Sequence, residues 1–332
     1  MTAPPSREIA TMLLPAGDAA IAAAVSVLAA GGLVAFPTET VYGLGADARN
    51  GKAVARLYAA KGRPAFNPLI AHVGSLDAAR CLGRFDGAAE KLANAFWPGP
   101  LTLVLPKQPD CAIANLALAG LDSVAVRLPA HPVARALLAA FGGPVVAPSA
   151  NRSGHVSPTG AEHVLADLRG RIDMVLDGGP CAVGLESTIV ACLGEPTLLR
   201  PGGLARDEIE RVLGRTLVVA PTEDAAPIAP GMLASHYAPK AKLRLDADAP
   251  EPGEALLAFG PAPKSDVMLN LSPRGDLIEA AANLFSHLRA LDASGVRRIA
   301  VMKVPHEGLG EAINDRLKRA GAPKPNGKSA SG

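Results

Sequence analysis

The sequence predicts an α/β fold: a large domain on a twisted mixed sheet, followed by a small Rossmann-like α/β domain. Three observations lead there. Short apolar runs alternate with helical patterns from residue 17 to about 214, which is the rhythm of a layered α/β unit. Helices do not follow every strand, so the sheet is expected to be mixed. A second strand–helix alternation begins after residue 240, beyond a stretch rich in Pro, Ala and Thr.

Residues 1–16 read as a loose arm. Asp18–Ala30 reads as an alanine-rich helix with Asp18 as N-cap and Gly31 at its end. Strands are expected at Leu33–Phe36, Leu69–His72, Leu101–Leu105, Val124–Leu128, Val145–Ala147, Met174–Leu176 and Ser187–Ala191. Between them lie helical patterns at Ala53–Lys61, Ala88–Phe96, Pro132–Phe141, Gly160–Leu168 and Arg206–Leu213. Residues 215–240 form a linker with Pro221, Pro227 and Pro230, ending in PGMLASHYAP. The second domain, 241–321, carries strands Ala255–Phe259, Val267–Leu271 and Arg298–Met302, and helices Asp276–Leu291 and Gly310–Arg319. Residues 322–332 read as a disordered tail.

Composition excludes several classes. A length of 332 residues suggests two domains. Lys and Arg total 33 against 31 Asp and Glu, so bulk charge does not recruit nucleic acid. Aromatics at 3% leave little for base stacking. Cys81, Cys111, Cys181 and Cys192 form no C-x-x-C pair, which argues against zinc or a disulfide framework and for a reducing, cytoplasmic setting. Ala19–Phe36 approaches the length of a membrane span, but it is mostly alanine and contains Gly31-Gly32. No membrane segment or signal peptide is expected.

Walker A, G-x-S-x-G and H-E-x-x-H sequences are absent. Polar clusters at strand ends stand out instead. Thr38, Glu39 and Thr40 break an apolar strand, which also suits an ordinary turn. Lys61 and Arg63 sit on a Gly/Pro turn, suited to polyphosphate or to a helix C-terminus. Trp97-Pro-Gly-Pro is chiefly structural. Strand alternation puts Ser123, Ala125 and Arg127 on one face, and an inward Arg needs an anion. Ser149, Asn151, Ser153, Ser157 and Thr159 offer hydroxyls and an amide after a strand; Glu186, Ser187 and Thr188 follow, then Arg200 on a turn. Four cations among hydroxyls fit a nucleotide plus a small anion, with catalysis by positioning and charge neutralisation.

FPTETVYGLG, KGRPAFNPL, WPGPLTLVL, VAVRLPAHP, APSANRSG, GLESTIV and LLRPGG occur in the order of the YrdC-domain family, which they closely resemble. These are the L-threonylcarbamoyladenylate synthases. The linker and the segments NLSPRGDLIEAAANLFSHLRALDASG and GLGEAINDRLKRA resemble the long, two-domain form. The resemblance implies a YrdC-like catalytic domain over 17–214 and synthesis of threonylcarbamoyl-AMP from L-threonine, bicarbonate and ATP. It implies release of pyrophosphate and delivery of the product to tRNA threonylcarbamoyl transferase machinery, with room for a weak contact with RNA. By resemblance, Thr40, His72, Arg127, Ala147 and Ser187 bind L-threonine. Arg63, Asn67, Ser123, Ser149, Ser157, Arg200 and Tyr237 bind ATP, with Lys61 and Asn151 facing the phosphates. Lys61, Arg63 and Arg200 would be catalytic, Mg2+ would be held mainly by the ATP phosphates, and the linker would close as a lid. Two other readings stand beside this one: an RNA-binding module, and a related carbamoyl-transfer enzyme with another amine acceptor.

Overall fold

In the computed structural model, which describes residues 9–219 and 237–322, the chain divides into two units. The first begins with β1 (Met12–Pro15), α1 (Asp18–Ala29), β2 (Val34–Phe36), β3 (Gly43–Asp47), α2 (Gly51–Lys61) and β4 (Ile70–His72). It continues through α3 (Leu76–Arg80), α4 (Gly87–Phe96), β5 (Leu101–Pro106), α5 (Asn115–Leu118), β6 (Ser123–Arg127), α6 (Pro132–Phe141) and β7 (Val145–Val146). It closes with α7 (Ala161–Leu168), β8 (Met174–Asp177), β9 (Thr188–Ala191), β10 (Thr197–Arg200), α8 (Arg206–Leu213) and β11 (Val218–Val219).

Among the described residues the large sheet has eleven strands in the order β1-β8-β2-β3-β7-β4-β6-β5-β9-β10-β11. β4 and β6 are parallel, as are β5 and β9, whereas β7–β4, β5–β6 and β9–β10 are antiparallel. The sheet is mixed, as expected. Paired residues share a face, and residues alternate along each strand. One face carries Leu44, Ala71, Leu103, Val126, Val146 and Val190 into the main core with α2, α4, α7 and α8. On the other face α1 and α6 cover Val34, Phe36, Val145 and Met174. Further along that second face, Ile70, Val104, Ala125, Ile189, Ala191 and Leu199 form a small cluster containing strand residues alone. Among the described residues this stretch also receives the side chains of His72, Thr102, Arg127 and Ser187.

Local chemistry explains the boundaries. Asn50 caps α2 through Lys52 N–H and Ala53 N–H, so the helix begins at Gly51 and not at Ala53. Asp18 does not cap α1: it is the first helical residue, after Gly17, and acts there on the helix dipole. The N-terminal arm is a correction in part, because Met12–Pro15 pairs in parallel with β8. β3 was not expected: Gly43, Leu44 and Gly45 do not read as a strand, yet the glycines let Phe36 pack directly on the backbone.

In the second unit, which takes in residues 233–332 and Gly154–Val156, the elements are β12 (Lys242–Arg244), β13 (Glu254–Ala258), β14 (Met268–Asn270), α9 (Leu277–Ala293), β15 (Arg298–Val301) and α10 (Gly310–Gly321). Its four strands run in the order β12-β15-β13-β14, with every pair parallel. α9 buries Ala280, Ala281, Leu284, Phe285, Leu288 and Leu291, a helical period. The small α/β unit is present with one strand more than expected, since the charged edge strand β12 lacks an apolar run. Most of the expected linker, 220–236, and of the tail, 323–332, lies outside the described residues.

Gly202 sits where a Cβ would lie 2.4 Å from Glu186 O and 2.5 Å from Ser187 C and Thr188 N. Those are backbone atoms that cannot swing aside. Gly202→Ala is expected to cost about 1–3 kcal/mol in urea unfolding; an unchanged midpoint would mean that β9 has room to shift.

Candidate active site

The end of β4 and the end of β6 are register neighbours, so His72 lies beside Arg127 on the same face. Thr102 and Arg127 each lie one residue beyond the paired Leu103 and Val126, which brings β5 to the same spot. Thr102 pairs with Ile189, so Ser187 also faces this side. Three expected positions and one unexpected one are thus assembled by strand register.

Arg127 is 4% exposed. Its Nε donates to Gly99 O at 3.3 Å, Nη1 to Thr40 Oγ1 at 2.9 Å and Nη2 to Glu39 Oε1 at 2.6 Å. A guanidinium has five N–H donors, so one on each terminal nitrogen takes no partner among the described residues. Glu39 Oε2 accepts from Ala130 N–H at 3.0 Å and His131 N–H at 3.4 Å. Burial pushes the Glu39 carboxyl upward, but Arg127 and these hydrogen bonds overcome it and hold the pKa below 4.5. Thr38 Oγ1 lies 2.7 Å from Thr40 Oγ1 and donates to Val41 O, which locks the turn.

Burial and then Arg127 push His72 down to about 3, so its ring is neutral. Nδ1 lies 3.3 Å from Ile70 O, an acceptor, which assigns the proton to Nδ1 and leaves Nε2 as an acceptor. Phe36 meets the ring edge-on at 6.4 Å. Ser187 Oγ and Thr102 Oγ1 are 2.7 Å apart. Arg200 Nη2 donates to Ser187 O at 2.7 Å and to Ser187 Oγ at 3.3 Å.

A second group surrounds the end of α2. Gly62 at φ +60° closes that helix. Lys61 Nζ donates to Ser149 O and Asn151 O, each at 2.5 Å. Burial, aided by Arg63 and opposed by Asp167, pushes the Lys61 pKa well below its usual value. Arg63 donates to Asn67 O and Pro68 O. Asn67 is 1% exposed, and its Oδ1 has no partner among the described residues. Ala147 N–H donates to Ile70 O, tying this loop to β4.

Ser157 Oγ donates to Glu186 Oε1 at 2.5 Å, both buried. Ser123 opens β6, at the end of the strand away from Arg127. Tyr237 belongs to the second unit, its ring stacked on Phe285 at 5.5 Å with Arg316 over it at 5.2 Å. Sequence reasoning assigned no role to Glu39, Glu186 or Thr102. Glu39 and Glu186 are visible as acids inside otherwise apolar motifs; Thr102 ends the Trp97-Pro-Gly-Pro-Leu-Thr102 cluster, which reads as chiefly structural. Among the described residues no cluster of three or more His, Cys, Asp or Glu could hold a metal ion.

The family model described as Telomere recombination (Sua5–YciO–YrdC) matches residues 26–202, and that described as Threonylcarbamoyl-AMP synthase, C-terminal domain, matches 204–322. The threonylcarbamoyl-AMP synthase of Bacillus subtilis (strain 168) is 42% identical over 327 residues, 92% of this chain and 94% of the relative. That of Pyrococcus abyssi (strain GE5 / Orsay) is 44% identical over 313 residues, 87% of this chain and 90% of the relative. The crystal structure of P. abyssi Sua5 complexed with L-threonine superposes with a TM-score of 0.86 at 40% identity, covering 94% of this chain and 97% of that one.

The Glu39–Arg127 pair has a measurable acid limb. The folded pKa of Glu39 is below 4.5, so its contribution is complete above that pH and is lost as the pH falls through the folded value. Glu39→Gln is expected to cost about 1.5–3 kcal/mol at neutral pH, with the difference from the parent shrinking in acid. Urea titrations at several pH values read it; a pH-independent difference would overturn it.

Proposed function

The chain belongs to the Sua5–YciO–YrdC family, and from that premise we propose that it joins L-threonine, bicarbonate and ATP into threonylcarbamoyl-AMP, releasing pyrophosphate. The observation that carries the reading is Arg127: a buried guanidinium with, among the described residues, one N–H on each terminal nitrogen left for a ligand, beside a neutral His72. That pair of donors suits the carboxylate of an amino acid.

We assign Thr40, Ser187, Ala147 and the Nε2 acceptor of His72 to the hydroxyl and amine of threonine, as the resemblance implies. Asn67 Oδ1, a buried acceptor awaiting a donor, supports nucleotide binding together with Arg63, Ser123, Ser149, Asn151, Ser157 and Arg200. The assignment of Tyr237 to the nucleotide rests on the resemblance alone. Lys61 serves first to hold Ser149 and Asn151 in place through their carbonyls, and with Arg63 and Arg200 it lowers the cost of charge on the phosphates.

In the reaction the threonine nitrogen adds to bicarbonate-derived carbon, giving a carbamate with loss of water. A carbamate oxygen then attacks the α-phosphorus of MgATP, and pyrophosphate leaves. Positioning supplies most of the rate, because the two anions repel each other in water and are held by fixed cations here. The metal comes with the nucleotide as part of the substrate. The product is a mixed anhydride, which we place upstream of transfer to tRNA in the cytoplasm. No helix among the described residues is long and apolar enough to cross a membrane.

Pyrophosphate release is expected to require ATP, bicarbonate and threonine together, as omission of each in turn will read; release indifferent to threonine would reject the reading. Arg127→Ala is expected to raise the threonine KM roughly a hundredfold while leaving the ATP KM within about threefold. With His72 neutral, threonine binding should show no inflection near 6.5 from this ring; a step there that vanishes in His72→Asn would contradict the assigned neutral form.

A further inference from the structure

Arg127 and Glu39 form a pair with no net charge at the carboxylate seat. An unpaired buried guanidinium would be the strongest phosphate fork in the site, since planar bidentate donors bind phosphate and carboxylate alike. The proposed reaction brings both anions to one site and leaves pyrophosphate behind. Shape does little to separate them at a bare fork; charge does.

We propose that Glu39 is a specificity-determining residue that reserves the Arg127 seat for a singly charged carboxylate and keeps polyphosphate off it. The proposal rests on the threonine reading above. Glu39 is fixed for this task from two sides. One oxygen takes the guanidinium at 2.6 Å and the other takes the backbone N–H groups of Ala130 and His131 ahead of α6. The carboxylate therefore does not swing away when a ligand arrives. It stays ionised at neutral pH under those contacts, and it is 12% exposed, near enough to the seat to act on what enters.

The sign of the effect follows from net charge. L-threonine is a zwitterion with no net charge, so attraction of its ammonium by Glu39 opposes repulsion of its carboxylate. Pyrophosphate is a multiple anion and meets repulsion alone, in surroundings where screening by water is reduced. Removal of the Glu39 charge thus changes the polyanion far more than the amino acid. Gln at the same position keeps the length and an oxygen acceptor for Arg127, which separates the effect of charge from that of position.

The test uses the full chain without nucleotide. L-Threonine binding is measured by calorimetry at increasing pyrophosphate for the parent, Glu39→Gln and Glu39→Asp, with circular dichroism of each. In Glu39→Gln, the apparent inhibition constant of pyrophosphate against threonine should fall at least about tenfold relative to the threonine Kd of the same protein. Glu39→Asp keeps the charge and should resemble the parent. Equal pyrophosphate competition in all three proteins would overturn the proposal, as would loss of threonine binding in a folded Glu39→Gln, which would make Glu39 a positioning residue only. If Glu39→Gln does not fold, Glu39→Ser takes its place: competition equal to the parent's would overturn the proposal, and competition strengthened at least about tenfold would support it. A folded parent that binds no threonine would instead remove the functional reading beneath it.

Discussion

A charged guanidinium buried to 4% exposure in a sheet face is the constraint on which the large unit turns. An isolated charge there would cost several kcal/mol, so Arg127 dictates its surroundings. It draws Glu39 and Thr40 from the turn between β2 and β3, and the carbonyl of Gly99 from the approach to β5. Glu39 in turn ties down the backbone before α6. Three connections far apart in sequence are thereby closed on one residue. The same pairing leaves two donors over, so the element that stabilises the face also gives it something to bind.

The helices divide between the two faces of the sheet. α1 and α6 sit over β8, β2 and β7, while α2, α4, α7 and α8 pack on the reverse side. Over β4, β6, β5 and β9 the second face has only a thin strand-borne apolar cluster beneath its polar side chains. Polar groups there pair with one another, Ser187 with Thr102 and Arg200; elsewhere in the unit Lys61 pairs with two carbonyls and Ser157 with Glu186. The buried Oδ1 of Asn67 departs from this rule, and buried polar groups are usually satisfied.

The small unit shows a different economy. Its parallel strands are short, and a single long helix, α9, carries much of its packing. Phe285 on that helix and Arg316 on α10 enclose the ring of Tyr237, whose backbone sits at φ +64°. A non-glycine residue holds such a conformation only where its surroundings over-determine it, and a stacked aromatic with a cation over the ring supplies that hold.

Much of this was legible in the sequence. Apolar runs located the strands that bear His72, Arg127 and Ser187, because burial of a period-two or continuous apolar segment is a local property. Turn chemistry located Thr40 and Arg63, and the end of a helical pattern located Lys61; Arg200, expected on a turn, instead closes the strand β10. The resemblance to a known family assigned ligands to them. Among the described residues five strands escaped: β3 is built on glycines, β12 on charges, β1 on residues that read as an arm, and β10 and β11 are short pieces within stretches that read as a turn and a linker. Tertiary structure alone decided which polar groups meet. Glu39 and Arg127 are 88 residues apart, and Thr102 and Ser187 are 85 apart. Local propensity carries no information over such separations; strand order and register bring those groups together, and register is set by the packing of the whole sheet.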